Sequence, residues 1–305
     1  MLRDDGRTTI FYAYWLSRSA MAAALLKVER PELFVVTRIH GGDLYDHRTA
    51  FGFFPLRRAL LGCFDLIAPV SSDGFAFLSL RYPGANLEVH HLGTPDTLPS
   101  VFKGKPDTIT VLSVSSAIPL KRIDRIIEAL ALIPPEFTHS IDWVHIGKGP
   151  ELERLHDLAQ ARLHGRISFS FPGELPNPEI RELLAAGKID VFVNTSESEG
   201  IPVSIMEAMS AGIPVIAPAV GGIGEIVKDR INGRLLSAAC QPVEIVEAIC
   251  ESLWYRSPEA RMAARATWEA GYQAKLNYPH WADVLDGIAA RGKGTTSNKD
   301  HEVHA

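Results

Sequence analysis

Short apolar runs rich in β-branched and aromatic residues recur along this chain, and most lead into stretches whose apolar positions return every three to four residues. The first runs are TIFYAYW, LFVVTRI, FDLIAPVS and LEVHHLG, and each reads as a strand. TIFYAYW passes into LSRSAMAAALL, which predicts a buried strand followed by a helix. PDTLPSVFKGKPDT then breaks the pattern. It is polar and Pro-rich, has no apolar period, and predicts a domain boundary near residues 95–107. Beyond it the pattern is more regular. TITVLSVSS, IDWVHIGKG, RISFSFPG, IDVFVNTS, IPVIAPAV and GRLLS read as strands, with amphipathic segments such as KRIDRIIEALALI and PVEIVEAICESLW among them. Unbroken apolar strands alternating with amphipathic helices make a parallel sheet covered on both faces. The expected fold class is α/β, with residues 99–257 as a doubly wound, Rossmann-like domain that follows a separate N-terminal domain over residues 1–98. Residues 258–290 read as helices with a break at NYP, and the polar 291–305 as a disordered tail. Ligands of such folds bind at the carboxyl ends of the strands, and the Gly, Pro, Ser and Glu clusters of this sequence fall there.

Composition sets limits on partners and compartment. A chain of 305 residues holds two medium domains, each able to bury its own core. A net charge of −5 argues against nucleic acid as a partner, while leaving room for a local basic pocket for phosphate. Cys63, Cys240 and Cys250 are too few and too scattered for a disulfide framework or a metal knuckle, and point to a reducing compartment. The most apolar N-terminal stretch holds Arg18 in its middle, which is incompatible with a spanning helix. Asp4 and Asp5 stand where a signal peptide would be positive.

Candidate chemistry concentrates in NTSESEGIPVSIMEAMSAGIPVIAPAVGG, residues 194–222. Gly200 allows close backbone approach, Pro202 suits a first helical turn, and the amides beyond it point from the helix start toward an anion or a sugar hydroxyl. Glu199 stays in the loop and Glu207 lies about a turn and a half into the helix, so both can face one cleft. An ionised carboxylate accepts two hydrogen bonds side by side, which suits a vicinal diol. The plainer alternative is that Glu199 complements the helix dipole and Glu207 is a solvated surface acid. For two isolated glutamates that alternative leads; the apolar EAMSAGIPVIA around Glu207 moves the balance toward a site. Lys121 alone reads as an exposed residue at a helix start, and His40, in a Gly-Gly-Asp loop, as a turn histidine or a functional one in equal measure. His90 and His91 have no partner at ligand spacing and read as structural. GKG at residues 147–149 lacks the third glycine of a dinucleotide loop. No acidic doublet stands where a metal on a diphosphate would need it, so a metal-free site is expected.

Taken together, Glu199-Gly200, Glu207-Ala208-Met209 and Gly212-x-Pro214-Val215-Ile216-Ala217 resemble the signature of retaining glycosyltransferases of family 4, which have the GT-B fold. The resemblance covers most of the chain. SAIPLKRIDRIIEAL is similar to the family's phosphate-side loop and helix, HIGKGPELERL to its Gly-x-Gly-Pro turn, FPGEL to its base-binding loop, and AVGGIGEIVKDRINGRLL to its Gly-Gly-x-x-Glu and Asn-Gly turn. RIHGGDLYDHR is similar to the loop that presents a histidine to the donor sugar, and NYPHWADVL to the returning C-terminal helix. The resemblance implies a nucleotide-diphospho-sugar donor, with no cofactor and no metal. It places Glu207 on the ribose hydroxyls and Glu199 on the hydroxyls of the transferred sugar, with backbone groups of Gly200, Ile201, Pro202 and Val203 supporting that sugar. Lys121 matches the lysine that neutralises the diphosphate leaving group, where a cation stabilises charge growing in the transition state. His40 matches the histidine near the reacting bond, Ser116 belongs to the phosphate-side loop, and Gly173 and Glu174 set backbone groups against the base. Also implied are front-face displacement assisted by the leaving phosphate, transfer of a hexose to a glycan or lipid-linked acceptor, and a role in bacterial surface polysaccharide or glycolipid synthesis. That role carries a cytoplasmic location, with peripheral association at the inner face of the membrane.

The sequence departs from the family pattern in two places. Ser116 stands where the family often has arginine, and offers one neutral hydrogen bond in place of a charged fork; Arg122 is the nearby candidate to replace that charge. The resemblance implies that residues 1–98 form a second Rossmann-like doubly wound domain, but they hold only the four strands named above, so this domain is expected to be incomplete, and the missing strands would leave a sheet edge uncovered. Upstream sequence, a separate partner chain supplying the strands, or a chain that binds nucleotide-sugar without turnover would each account for this. A noncatalytic nucleotide-sugar-binding half-enzyme is therefore the alternative function. A Rossmann oxidoreductase is disfavoured by the incomplete glycine pattern.

Overall fold

The computed structural model describes residues 8–46, 52–99 and 101–296. Asp4 and Asp5, His47 and Arg48 of the RIHGGDLYDHR stretch, and residues 297–305 of the tail lie outside them. The chain forms two compact units, one of residues 1–91 with 275–305 and one of residues 92–274.

The first unit carries a parallel sheet of β1 (Ile10–Ala13), β2 (Phe34–Ile39) and β3 (Leu66–Pro69), in that spatial order. β2 is central and buried at every position after Phe34, because helices cover both faces. On one face Val35, Ile39 and Ile67 pack with Ala20 and Ala24 of the helix Arg18–Glu29 and with Leu78 of the helix Ser72–Arg81. On the other, Val36, Leu66 and Ala68 pack with Trp281 and Ile288 of the helix Ala274–Thr296. The expected buried first strand is only half-buried, since β1 pairs with β2 alone among the described residues. LEVHHLG is not a fourth strand. It runs beside β3 through Ile67 N–H to Asn86 O (2.9 Å) and His90 N–H to Pro69 O (3.0 Å), but makes only an isolated bridge at Leu87. The NYP break is also absent: the last helix runs through Pro279, and the interruption falls instead at Tyr272 and Gln273. Pro279 costs that helix one backbone bond in its second turn, while the apolar face that follows is buried on the sheet. Residues 291–296, expected in the tail, continue the same helix.

The second unit has six parallel strands, β4 (Thr108–Val114), β5 (Ser140–Ile146), β6 (Ile167–Gly173), β7 (Val191–Val193), β8 (Val215–Pro218) and β9 (Gly233–Leu236), in the order β6-β5-β4-β7-β8-β9. All six are the strands the apolar runs predict. β7 and β8 are buried at every position, as central parallel strands should be, while the edge strand β6 shows no fully buried position and sets Ser168 and Ser170 on its exposed face. The order reverses between β4 and β7, and that reversal makes a crevice at their carboxyl ends.

The boundary differs from the expected one. Residues 92–98 and the helix Pro258–Gly271 both belong to the second unit. The cause is hydrogen bonding: Trp268 Nε1 donates to Thr94 Oγ1 (2.8 Å), Arg265 forks onto Asp96 (2.6 and 2.9 Å), and Ser210 Oγ donates to Thr97 Oγ1 (2.6 Å). The polar stretch is stitched to the unit at 92–97, so its lack of apolar period does not mark a free linker.

Candidate functional site

Lys121 ends a single 3-10 turn, Pro119–Lys121, at the carboxyl end of β4. Arg122 follows in the left-handed region at φ 48°, a strained setting for a non-glycine residue, and the helix Ile123–Leu130 begins. The loop after β7 holds this turn in place. Thr195 Oγ1 donates to the carbonyls of Lys121 (3.0 Å) and Arg122 (2.9 Å), and Glu197 N–H donates to Leu120 O (3.0 Å). Two loops from neighbouring strands are thereby fixed as one surface, and Lys121 Nζ meets Glu199 Oε1 across it at 2.5 Å. Both partners are largely shielded from solvent, with side-chain exposures of 19% and 12%. Arg122 does not replace the charge missing at Ser116: its guanidinium is held by Asp124 (3.1 Å) and Glu197 (2.6 Å), which keep it even more firmly protonated.

The backbone then enters the helix Val203–Ser210. Pro202 is its N-cap rather than part of the first turn as expected; its carbonyl receives the amides of Ile205 (3.1 Å) and Met206 (3.2 Å). Pro202 gives this helix start no side-chain cap, and among the described residues no side chain accepts from the amides of Val203 and Ser204, which keep their capacity for an acceptor. Gly200 O receives the amide of Gly222 (3.0 Å), tying the loop to the Gly-Gly turn after β8. Glu207 is buried rather than solvated, at 6% exposure. Asn177 Nδ2 donates to its Oε1 at 2.6 Å. Burial pushes the Glu207 carboxyl above the ordinary carboxylate range, and the Asn177 amide and the Arg181 charge pull it part of the way back. Glu199 and Glu207 thus have different partners, Lys121 and Asn177. Sequence reasoning missed Asn177, although Asn-Pro two residues after the FPGEL loop is a helix-start signal.

A cleft of about 570 Å³ opens at the carboxyl ends of β4, β5 and β6, lined by Ser116, Lys148, Glu174 and Leu175 among others. The GKG turn shapes it. Gly147 and Gly149 stand at φ 153° and 158°, and a Cβ on either would fall 1.8 Å from Ser115 O or 2.3 Å from Ala117 O. These glycines serve close packing of two loops, so the turn is an architectural joint. Gly173, at φ 83°, accepts the amide of Gly147 (2.8 Å), and Glu174 ion-pairs with Lys148, a residue the sequence left out.

His40 belongs to the first unit, and Lys121, Glu199, Glu207, Ser116, Gly173 and Glu174 to the second. It follows β2 as the N-cap of the turn Gly41–Leu44, and its amide donates to Asp43 Oδ1 at 2.6 Å. Its ring lies 4.1 Å from Trp15 and 4.7 Å from Tyr14. Burial, and then the Arg38 charge, hold its pKa down at about 4, so the imidazole is neutral at pH 7. Burial also pushes Asp43 up to about 6, against the amides of His40 and Leu16. Arg57, itself buried, locks the turn by donating to the carbonyls of Asp43 and Leu44. Among the described residues no group of three or more His, Cys, Asp or Glu is placed to hold a metal ion, and no helix is long and apolar enough to cross a membrane.

The profile of the glycosyl transferases group 1 family matches residues 97–267, which contain the whole sheet of the second unit. WcaL of Escherichia coli, assigned as a colanic acid biosynthesis glycosyltransferase, is 28% identical over 243 residues, covering 75% of this chain and 58% of its own. TuaC of Bacillus subtilis, assigned as a teichuronic acid biosynthesis glycosyltransferase, is 25% identical over 306 residues, covering 93% of this chain and 73% of its own. Across four of the curated relatives matched most strongly, the chain spans only 30 to 58% of their lengths. Among solved structures, HepE of Anabaena in complex with UDP and glucose superimposes with a TM-score of 0.73 at 21% identity, over 91% of this chain and 77% of that one. That likeness establishes the fold as α/β and GT-B-like.

Proposed function

The chain belongs to the glycosyl transferases group 1 family, and from that premise we propose that it is a retaining, family 4 type enzyme moving a hexose from a nucleotide-diphospho-sugar to a glycan or lipid-linked acceptor. The observation that carries this reading is the Lys121–Glu199 ion pair beside the uncapped start of the helix Val203–Ser210. A diphosphate competes with Glu199 for the same ammonium. Its binding frees the Glu199 carboxylate for the hydroxyls of the sugar, and Lys121 then stabilises the charge that grows on the leaving diphosphate. The amides of Val203 and Ser204 support the sugar or its phosphate. Glu207, oriented by Asn177, accepts the two ribose hydroxyls, and the cleft lined by Ser116 and Glu174, with Gly173 beside it in the chain, takes the base. Lys121 supplies the cationic charge, so the reading assigns no metal and no cofactor. His40 is assigned to the transferred sugar by the family resemblance alone.

The names of WcaL and TuaC support a place in polysaccharide synthesis, the family resemblance alone assigns it to the cytoplasmic face of the membrane, and the HepE complex makes UDP-glucose the first donor to try. A second reading is favoured by β1, which pairs on one side only among the described residues: a nucleotide-sugar-binding chain that needs further N-terminal strands, from a partner, for turnover. One experiment separates them. Purified protein is incubated with UDP-, GDP- and ADP-sugars, scoring binding and nucleotide release. Release that is lost in Glu199→Ala and Lys121→Ala supports the transferase. Binding without release supports the second reading, and absence of both sinks the two together.

A further inference from the structure

At the carboxyl end of β2 the first unit buries a guanidinium that has no carboxylate partner among the described residues. Arg38 is 1% exposed, and its Nε and Nη2 have no hydrogen-bond partner among the described residues. Its hydrogen bond from Nη1 to the carbonyl of His90 is long, at 3.5 Å. Phenols and imidazoles sense its charge, namely Tyr12, Tyr14, His40 and His90, and Tyr12 also hydrogen-bonds to it. The Trp281 ring lies 4.6 Å from its Cζ, but a cation–π contact offsets only part of the desolvation of a charge. A protein that needed only packing here would be served by an apolar side chain.

The surface beside Arg38 is aromatic. Tyr12, Tyr14 and Trp15 are 40%, 45% and 46% exposed. Tyr14 and Trp15 pack at a tilt against the His40 ring, and Tyr12 lies 5.5 Å from Trp281, the ring over Arg38. Rings that are half in water, next to a desolvated guanidinium, match a ligand with an apolar face and an oxyanion. We propose that Arg38 anchors an oxyanion site on the first unit, in which a carboxylate or phosphate carried by the acceptor meets the guanidinium while the acceptor's sugar ring lies on Tyr14 and Trp15. Guanidinium is the suitable cation because its fork matches both groups bidentately. Tyr12 and Tyr14 cover the site as half-exposed side chains, whose rotamers exchange quickly. The word acceptor rests on the glycosyltransferase reading; the binding itself does not.

The test uses the full chain, titrated calorimetrically with glucuronic acid, glucose 6-phosphate, inorganic phosphate and neutral glucose, in wild type, Arg38→Met, Arg38→Lys and Tyr14→Ala. Thermal midpoints are recorded for each variant. Expected is at least tenfold tighter binding of one charged sugar than of glucose, which disappears in Arg38→Met while the midpoint stays level or rises. A preference for glucuronic acid identifies an acidic sugar, and one for the phosphates a phosphorylated acceptor. Tyr14→Ala should weaken the charged sugar but not inorganic phosphate. Arg38→Lys, which keeps the charge without the fork, should retain part of the binding and guards against a misfolded Met variant. Equal binding of all four probes in wild type overturns the proposal. So does an Arg38→Met protein that melts lower and still discriminates the anion, since the guanidinium would then be structural. Donor binding by wild type without anion discrimination sinks this site alone; anion discrimination without any donor binding leaves it standing and sinks the glycosyltransferase reading.

Discussion

At the carboxyl ends of β4 and β7 the charged side chains are paired with one another: Lys121 with Glu199, Arg122 with Asp124 and Glu197, and Glu207 with the Asn177 amide. At the same end of β2, in the other unit, Arg38 and His40 are buried, with Arg38 Nε and Nη2 unpartnered among the described residues. The two regions therefore respond to a ligand in opposite ways. A ligand at Lys121 displaces an existing ion pair, so its affinity is a difference between two electrostatic interactions and favours groups as highly charged as a diphosphate. A ligand at Arg38 displaces little and relieves a desolvation already incurred on folding. The paired region is organised around charges that stabilise the protein without ligand. The unpaired one holds charge at a cost to stability.

The first way to break this comparison is to unpair the second unit. Asp190 is fully buried, its Oδ2 accepts the amide of Thr110 (2.8 Å), and its Oδ1 accepts from Arg256 Nε (2.6 Å). The remaining Arg256 donors hold the carbonyls of Lys105, Pro106 and Thr108 at the entry to β4. Arg256→Ala leaves the buried carboxylate with only the Thr110 amide and the Arg261 charge, and should cost about 3 kcal/mol, the low end for breaking a buried pair, read from urea unfolding. A loss no larger than about 1 kcal/mol, the scale of an exposed pair, would mean that the pairing does not carry the stability claimed for it. Next in size is Lys121→Ala, expected to lower donor turnover by about 10² to 10³-fold, the range for removing one transition-state charge contact. Lys121→Ala/Glu199→Ala should lose much less than the product of the two single losses, because the residues act on one bound donor. Fully multiplicative losses would show two independent roles.

How far this could be read from the sequence follows the same division. All six strands of the second unit were legible: β7 and β8 because they are buried at every position and read as unbroken apolar runs, and the edge strand β6 because its apolar residues alternate with exposed serines. Glu199, Gly200 and Glu207 were legible because they flank one strand-to-helix turn. The Lys121–Glu199 pair joins residues 78 positions apart and the Asn177–Glu207 bond residues 30 apart, and periodicity carries no information at those separations. Asp96 and Thr97 read as linker since polar residues that bond to a distant helix look the same as polar residues in water. In the first unit VVTRIH reads as a strand, but nothing in its alternation shows that the arginine is buried without a carboxylate. Pro279 read as a helix break because a proline's local effect was weighed without the buried Trp281 and Ile288 that hold the helix to the sheet.

A smaller effect is expected at Glu207. If its carboxylate grips the ribose diol, Glu207→Gln should weaken donor binding by about 10 to 100-fold, the range of a hydrogen bond to a charged group, with little change in turnover once donor is saturating. Its raised pKa gives a further handle. Donor affinity of the wild type should fall as pH drops through that raised value, earlier than for an exposed carboxylate, and the Gln variant should be flat over the same interval. A wild type as flat as the variant would leave Glu207 a packing residue.

The smallest effect separates the two units by titration. His40 in the first unit and His145 in the second are both buried and held down at about 4, against about 6.5 in an unfolded chain. His145 is neutral with its Nδ1 bonded to Ser113 Oγ at 2.9 Å, and Ser113 accepts from Trp143 Nε1. Between the folded and unfolded values the unfolded chain binds more protons, so stability rises with pH across this window. The contribution is complete above about pH 6.5 and is lost as pH falls toward 4, with a slope of at most about 1.4 kcal/mol per pH unit for each group. Replacing His40 with Gln should remove one group's slope from the pH dependence of the unfolding midpoint and leave the His145 part intact. If the units unfold in separate transitions, the lost slope belongs to the first unit alone. An unchanged slope in His40→Gln would mean that the imidazole is already protonated in the folded protein, and that the polar end of β2 holds its charges with a counter-ion after all.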